Sequence, residues 1–147
     1  MSPEVILETP RLRLRCFTQA DQPFIFELVN TQGWMQSIGD REIRTPEDAS
    51  AYIDKLNNDY KTLGFGLWCV EAKHPAKPIG MCGLVKRDYL DDVGIGFVML
   101  PTHAGVGLGF EAASATVQHA NDHLGLNTIV AITDENNQAA IGLIKKI

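Results

Sequence analysis

The sequence predicts a single-domain α/β fold built on a mixed, mostly antiparallel sheet. Three strand-like runs, residues 65–70, 79–85 and 93–100, follow one another with no helix between them. Strands joined in this way form an antiparallel meander. A helical run at residues 110–124 then separates the third of them from the β-branched run 128–133, which calls for a parallel crossover. At 147 residues with 45% hydrophobic content, the chain suits one domain with a real core.

Residues 5–17 contain the alternation Leu12, Leu14, Cys16 and read as one strand, with Arg11, Arg13 and Arg15 on its solvated face. Thr18-Gln19-Ala20-Asp21 has the form of a capping box, with Asp in place of the usual Glu or Gln. Phe24, Ile25, Leu28 and Val29 then repeat at helical spacing. A second helix opens at Thr45-Pro46-Glu47-Asp48: a capping Thr, Pro at the first helical position, then acids near the positive helix end. Ala51, Ile53, Leu56 and Tyr60 continue it, and Gly64 ends it. Pro75 and Pro78 mark a turn between the first two meander strands. Pro101 ends the third, because proline cannot donate to a ladder. Gly125 suits a left-handed helix terminator, and residues 137–147 begin a further helix. The predicted order is β-α-α-β-β-β-α-β-α.

Several function classes are excluded at this level. A net charge of -5 without a basic patch argues against nonspecific nucleic-acid binding. No apolar run approaches the ~18 residues of a membrane span, and no secretory signal is visible at the N-terminus. Cys16, Cys69 and Cys82 are odd in number and lie in apolar runs, as expected of free thiols in a reducing cytoplasm. Whether Cys69 and Cys82 pair is left open by the sequence.

The segment from Leu100 to Ala113 carries Gly105, Gly107 and Gly109 between a strand and a helix. Alternate glycines let the backbone bend tightly and aim several N–H groups at one spot. The first-turn N–H groups of a helix add a partial positive charge, so an anion such as pyrophosphate can dock there without a lysine. A dinucleotide fold needs G-x-G-x-x-G in an early β-α-β unit, and a nucleoside-triphosphate loop needs Gly-Lys-Ser or Gly-Lys-Thr. The spacing here is G-x-G-x-G, after a meander, and neither tripeptide occurs. A turn without any ligand remains the bland alternative.

Five blocks now read together. They are Glu8-Thr-Pro-Arg-Leu-Arg-Leu-Arg15; Gly66-Leu-Trp68 with Pro78-Ile-Gly80-Met-Cys-Gly83; Ile95-Gly96-Phe97-Val-Met-Leu-Pro101; Ala104-Gly105-Val-Gly107-Leu-Gly109 with Glu111-Ala112; and Asn137-Gln-Ala-Ala140-Ile141. In that order they resemble the GNAT N-acetyltransferase superfamily almost end to end, and within it the ribosomal-protein-alanine acetyltransferase branch. The resemblance implies a single GNAT domain over residues 1–147, with a splayed parallel strand pair, and acetyl-CoA as cosubstrate. It implies that Val98, Met99 and Leu100 offer backbone groups to the pantetheine arm. Gly105, Val106, Gly107, Leu108 and Gly109 would supply N–H groups to the pyrophosphate, and Asn137 would bond near the thioester. The expected reaction is transfer of acetyl to a primary amine, such as a protein N-terminal α-amine.

The departures are equally specific. Ala104 fills a position usually held by a larger side chain, Gly94 stands where many relatives carry an acid, and Ala140 replaces a Ser. The family's two closing strands are missing after Lys145-Lys146-Ile147, so either the domain is incomplete at its C-terminus or the run 128–133 forms a sheet edge that a partner, such as a second copy, covers. These departures motivate the alternative reading, a noncatalytic acyl-CoA-binding module.

Aminolysis of a thioester needs a neutral amine. Neutralising lysine at pH 7 costs about 4–5 kcal/mol, against about 1 for an α-amine, so an α-amine tolerates a weak base. Asp92, with Asp91 beside it, and His103 are the candidate bases. No leaving-group acid is expected. His119 and His123 stand at i, i+4, but the residue after His119 is Ala120, not Glu. They read as exposed helix histidines, and no metal site is expected. Trp34 and Trp68 read as packing residues, with Trp34 in a segment that could border the acceptor cleft.

Overall fold

Leu12 and Leu14 turn to one side of a strand while Arg13 and Arg15 turn to the other, and this period of two sets the faces of the whole sheet. The structure is a computed structural model that describes residues 4–31, 43–73, 76–86, 93–100, 107–125 and 129–131. Its strands are β1 Val5–Glu8, β2 Leu12–Arg15, β3 Leu67–Lys73, β4 Ala76–Val85, β5 Val93–Met99 and β6 Ile129–Ala131. They lie in the order β1-β2-β3-β4-β5-β6 in one sheet. Neighbours from β1 to β5 are antiparallel, and β5 pairs with β6 in parallel.

The helices are α1 Gln22–Leu28, α2 Pro46–Leu63 and α3 Leu108–His123, with a short 3-10 turn at Gln19–Asp21. On one face α1 and α2 bury Ile25, Leu28, Ile53 and Leu56 against Leu67, Cys69, Met81 and Val98. On the other, α3 buries Ala112, Ala113 and Ala120 against Leu12, Leu14, Trp68 and Val70. Small residues on α3 let the helix lie close to the sheet, so Thr116 Oγ1 reaches Cys82 Sγ at 3.3 Å. The mixed α/β sheet read from the sequence is present, and its parallel pair lies where the crossover required it.

Helix signals were decisive. Thr45 Oγ1 accepts from the Asp48 N–H at 3.1 Å, Pro46 opens α2, and Gly64 ends it at φ +81°. Gly125 follows α3 at φ +68°. Within α2, Ala49 and Tyr52 face the core, whereas Ala51 is exposed.

Four expectations need correction. Residues 5–17 form two strands, because Thr9 closes a turn around Pro10: its N–H donates to Leu12 O at 2.9 Å, and its Oγ1 accepts from the Leu12 N–H at 3.0 Å. The arginines of β2 do not form a solvated face. Arg15 is buried and grips Asp21 through two bonds of 2.8 and 2.9 Å, and Glu71 at 3.1 Å. Arg13 reaches Glu71 and Glu8, both at 3.0 Å. The hydrogen bond to Asp21 is what pushes the Arg15 guanidinium further up, against the cost of burial. Pro78 lies inside β4 rather than in a turn. The β3–β4 register shifts between Val70 and Glu71, and proline is tolerated at such a bulge. Finally, His119 is half-buried, its ring edge-on to the core residue Trp68 at 5.8 Å, while His123 is exposed.

The register also answers the cysteine question. Cys69 lies opposite Met81 and Cys82 opposite Trp68, which puts the two thiols on opposite faces of the sheet. All three cysteines are free.

Candidate functional site

The site lies where β5 ends and α3 begins. Leu100 donates its N–H to Ile79 O at 2.8 Å, across the β4–β5 pair in which Gly80 faces Met99 and Met81 faces Val98. Residues of an antiparallel strand send their N–H and C=O alternately to one neighbour and away from it. Val98 and Leu100 therefore spend their backbone groups on β4, and Phe97 and Met99 turn theirs to the opposite edge. That edge runs toward β6, whose described pairing spans Val93↔Ile129 to Ile95↔Ala131. Of Val98, Met99 and Leu100, only Met99 turns its backbone groups to that edge. Phe97 joins it, and the two-residue period of a strand was the signal for it.

Gly107 caps α3 with φ +83° and ψ 0°, a left-handed conformation that a β-branched side chain resists. The first bond of the helical ladder runs from the Glu111 N–H to Gly107 O at 3.1 Å. The N–H groups of Leu108, Gly109 and Phe110 therefore fall outside that ladder, at the positive end of the helix. Unpaired N–H groups at a helix start of this kind can accept an anion. Gly105, Val106, Asn137, Asp92 and His103, together with Asp91, Ala104, Ala140 and Trp34, lie outside the described residues. Gly94 is within β5, opposite Val85, and brings no carboxylate.

Sequence reasoning missed a contact that ties the N-terminal hairpin to this helix start. The Glu111 carboxylate accepts from Arg11 Nε at 2.7 Å, from the Arg11 N–H at 3.0 Å, and from the Thr9 hydroxyl. Burial raises the pKa of this carboxyl, but the Thr9 and Arg11 hydrogen bonds and the guanidinium charge together hold it below the usual glutamate range. Arg11 Nη2 lies 3.5 Å from where a Cβ on Gly107 would sit. The glycine and the guanidinium are thus neighbours.

The cysteines are chemically quiet. Burial pushes the Cys16 thiol up to about 11 and Cys82 to about 12, and raises Cys69 as well. None is a thiolate at neutral pH, so none is primed to carry an acyl group. Among the described residues there is no cluster of three metal-ligating side chains, and no helix long and apolar enough to cross a membrane.

The acetyltransferase (GNAT) domain model matches residues 11–147. The chain belongs to the GNAT acetyltransferase family. Acetyl-CoA is the cosubstrate of this family. The chain is 27% identical over 153 residues to the Bacillus subtilis protein YkkB, covering 100% of this chain and 86% of YkkB. Its fold matches an acetyltransferase from Agrobacterium tumefaciens at a TM-score of 0.83, with 22% identity over 100% of this chain and 84% of that one. It also matches RimL, the ribosomal L7/L12 α-N-protein acetyltransferase, solved in complex with coenzyme A. That match has a TM-score of 0.82 and 16% identity, over 97% of this chain and 82% of RimL.

Proposed function

We propose that this GNAT domain moves the acetyl group of acetyl-CoA to a primary amine, with a protein N-terminal α-amine as the leading acceptor class. One observation carries the cofactor assignment: β5 turns the Phe97 and Met99 backbone outward beside a helix that starts at left-handed Gly107. Met99 and Phe97 would pair with the amides of the pantetheine arm. Gly105, Val106, Gly107, Leu108 and Gly109 would donate to the pyrophosphate, and Asn137 would bond near the thioester. Leu100 and Val98 would shape the floor through their side chains.

In the transfer, the acceptor nitrogen bonds the acetyl carbon, the C–S bond breaks, and the amine proton passes to Asp92, His103 or water. Direct attack is favoured over an acyl-cysteine route because the described thiols stay protonated. The α-amine preference rests on its low neutralisation cost and on fold likeness to RimL. Free thiols suit a cytoplasmic setting. A second copy covering the outer edge of β6 is the assembly this reading carries; a monomer by sedimentation at high concentration removes it.

Gly94 favours a second reading, a noncatalytic acyl-CoA-binding module, because β5 has no acid at that position. Thermal shift and turnover separate the two. Stabilisation by acetyl-CoA together with thiol release across a panel of peptides and small amines is the expected result. Stabilisation without release on any amine favours the binding module. Gly107→Val should abolish the shift, and retained affinity in that variant would sink the loop assignment.

A further inference from the structure

The two long helices begin differently. At α2 the Thr45 hydroxyl accepts from the Asp48 N–H at 3.1 Å, and the Asp48 carboxylate accepts from the Thr45 N–H at 3.2 Å, so local side chains fix the first turn. At α3 the cap is Gly107, which has no side chain to offer, and a second glycine, Gly109, lies in the first turn. Glycine loses the most freedom on ordering, so the sequence of this turn does little to hold it. A side-chain cap would also occupy the N–H groups of the first turn, which an anion needs. The order of this turn therefore comes from elsewhere in the fold, from the turn between β1 and β2. There the Thr9 hydroxyl accepts from the Leu12 N–H and donates to the Glu111 carboxylate. The same carboxylate accepts from the Arg11 N–H at 3.0 Å and from Arg11 Nε at 2.7 Å.

We propose that Glu111 is a positioning residue for the cofactor, held by Thr9 and Arg11 so that the first turn of α3 stays ordered while its N–H groups are left to the diphosphate of coenzyme A. This rests on the acyl-CoA reading above. Glu111 suits the role because its own N–H makes the first bond of the helical ladder, to Gly107 O at 3.1 Å. Fixing its side chain from outside the helix fixes that bond, and with it the direction of the N–H groups of Leu108, Gly109 and Phe110. The side chain is only 17% exposed, so the contact is largely kept from solvent. A free carboxylate in this turn would repel an anion; the Arg11 guanidinium offsets its charge.

Calorimetric titration of the full chain with CoA tests the assignment. Glu111→Ala should weaken CoA by about tenfold, the scale on which a lost helix cap acts on an equilibrium. Glu111→Gln, which keeps an oxygen for the Thr9 and Arg11 donors, should lose less. In turnover, KM for acetyl-CoA should rise in the same order while kcat at saturation holds. Gly64→Ala, which lowers stability at the end of α2, should keep wild-type affinity and serves as the control for general destabilisation. Tighter CoA binding in either Glu111 variant means that the carboxylate only repels the anion, which overturns the proposal. An equal loss in Glu111→Ala and Gly64→Ala, or a fall in kcat alone, overturns it as well. If Glu111→Ala does not fold, Thr9→Val, which removes only the hydroxyl, decides by the same signs. Wild-type affinity in a folded Glu111→Ala variant overturns the inference alone, whereas no CoA binding by the wild type overturns the acyl-CoA reading itself.

Discussion

A charge buried with its partner behaves differently from one at the surface, and β2 holds both kinds. Arg15 and Asp21 have side chains only 7% and 6% exposed and are joined by two parallel hydrogen bonds. Arg15→Ala leaves the Asp21 carboxylate buried without its cation, which should cost about 3–5 kcal/mol in urea unfolding. Arg13→Ala, on the more open part of the same strand, should cost much less. The sequence shows the alternation of these arginines but not which of them meets a carboxylate. Asp21 lies across a turn and Glu71 in a distant strand, so only tertiary pairing separates Arg15 from a solvated residue. The same limit hid Arg11.

At the scale of elements, local chemistry was legible wherever one residue decides a backbone angle. Thr45, Pro46 and Gly64 bound α2 in the structure as they do in the pattern. Two glycines separate local from long-range demands. A Cβ at Gly64 meets nothing within 4 Å, so Gly64→Ala should cost only the left-handed backbone penalty, about 1 kcal/mol. A Cβ at Gly83 would lie 2.1 Å from Gly66 O, so Gly83→Ala must push β3 and β4 apart. A cost of about 3 kcal/mol or more is expected, and equal melting of the two variants would refute the contrast. The first hairpin was misread for a related reason. Leucine alternation runs through Pro10, and nothing in a period-two pattern says that the Thr9 hydroxyl folds the strand back. The alternating backbone of β5 was readable in principle, since a ligand can pair only with every second residue.

Across the whole molecule, the sheet isolates two chemical compartments. Cys69 lies under α1 and α2, and Cys82 under α3, each walled off by the strands between. Iodoacetamide at pH 8 should leave Cys69 and Cys82 unlabelled in the native protein and modify them after denaturation; rapid native labelling of either would contradict their burial. The pH dependence follows with a definite sign. A raised thiol value means the folded state holds its proton more tightly than the unfolded chain. That contribution is complete below the ordinary value of 9.0 and is lost as pH climbs through about 11 for Cys16 and about 12 for Cys82. Urea midpoints should therefore hold to pH 9 and fall above it, and Cys16→Ala should soften the early part of that fall. The architecture itself was the most legible level, because adjacency of three strands and one crossover leaves few topologies. The acceptor side was the least, since its candidate residues fall between the elements that periodicity can place.

The clasp of Thr9 and Arg11 on Glu111 joins the first hairpin to a helix that is made late in the chain. Ligand binding and chain closure are linked by it. Whatever loosens the opening strand, whether a fused tag, a trimmed terminus or a substitution at Pro10, should be felt at the start of α3. Saturating acyl-CoA should in turn slow amide exchange in β1 and β2, far from the acetyl group. The beginning of the chain is thus tied to the helix start at which the cofactor is proposed to bind.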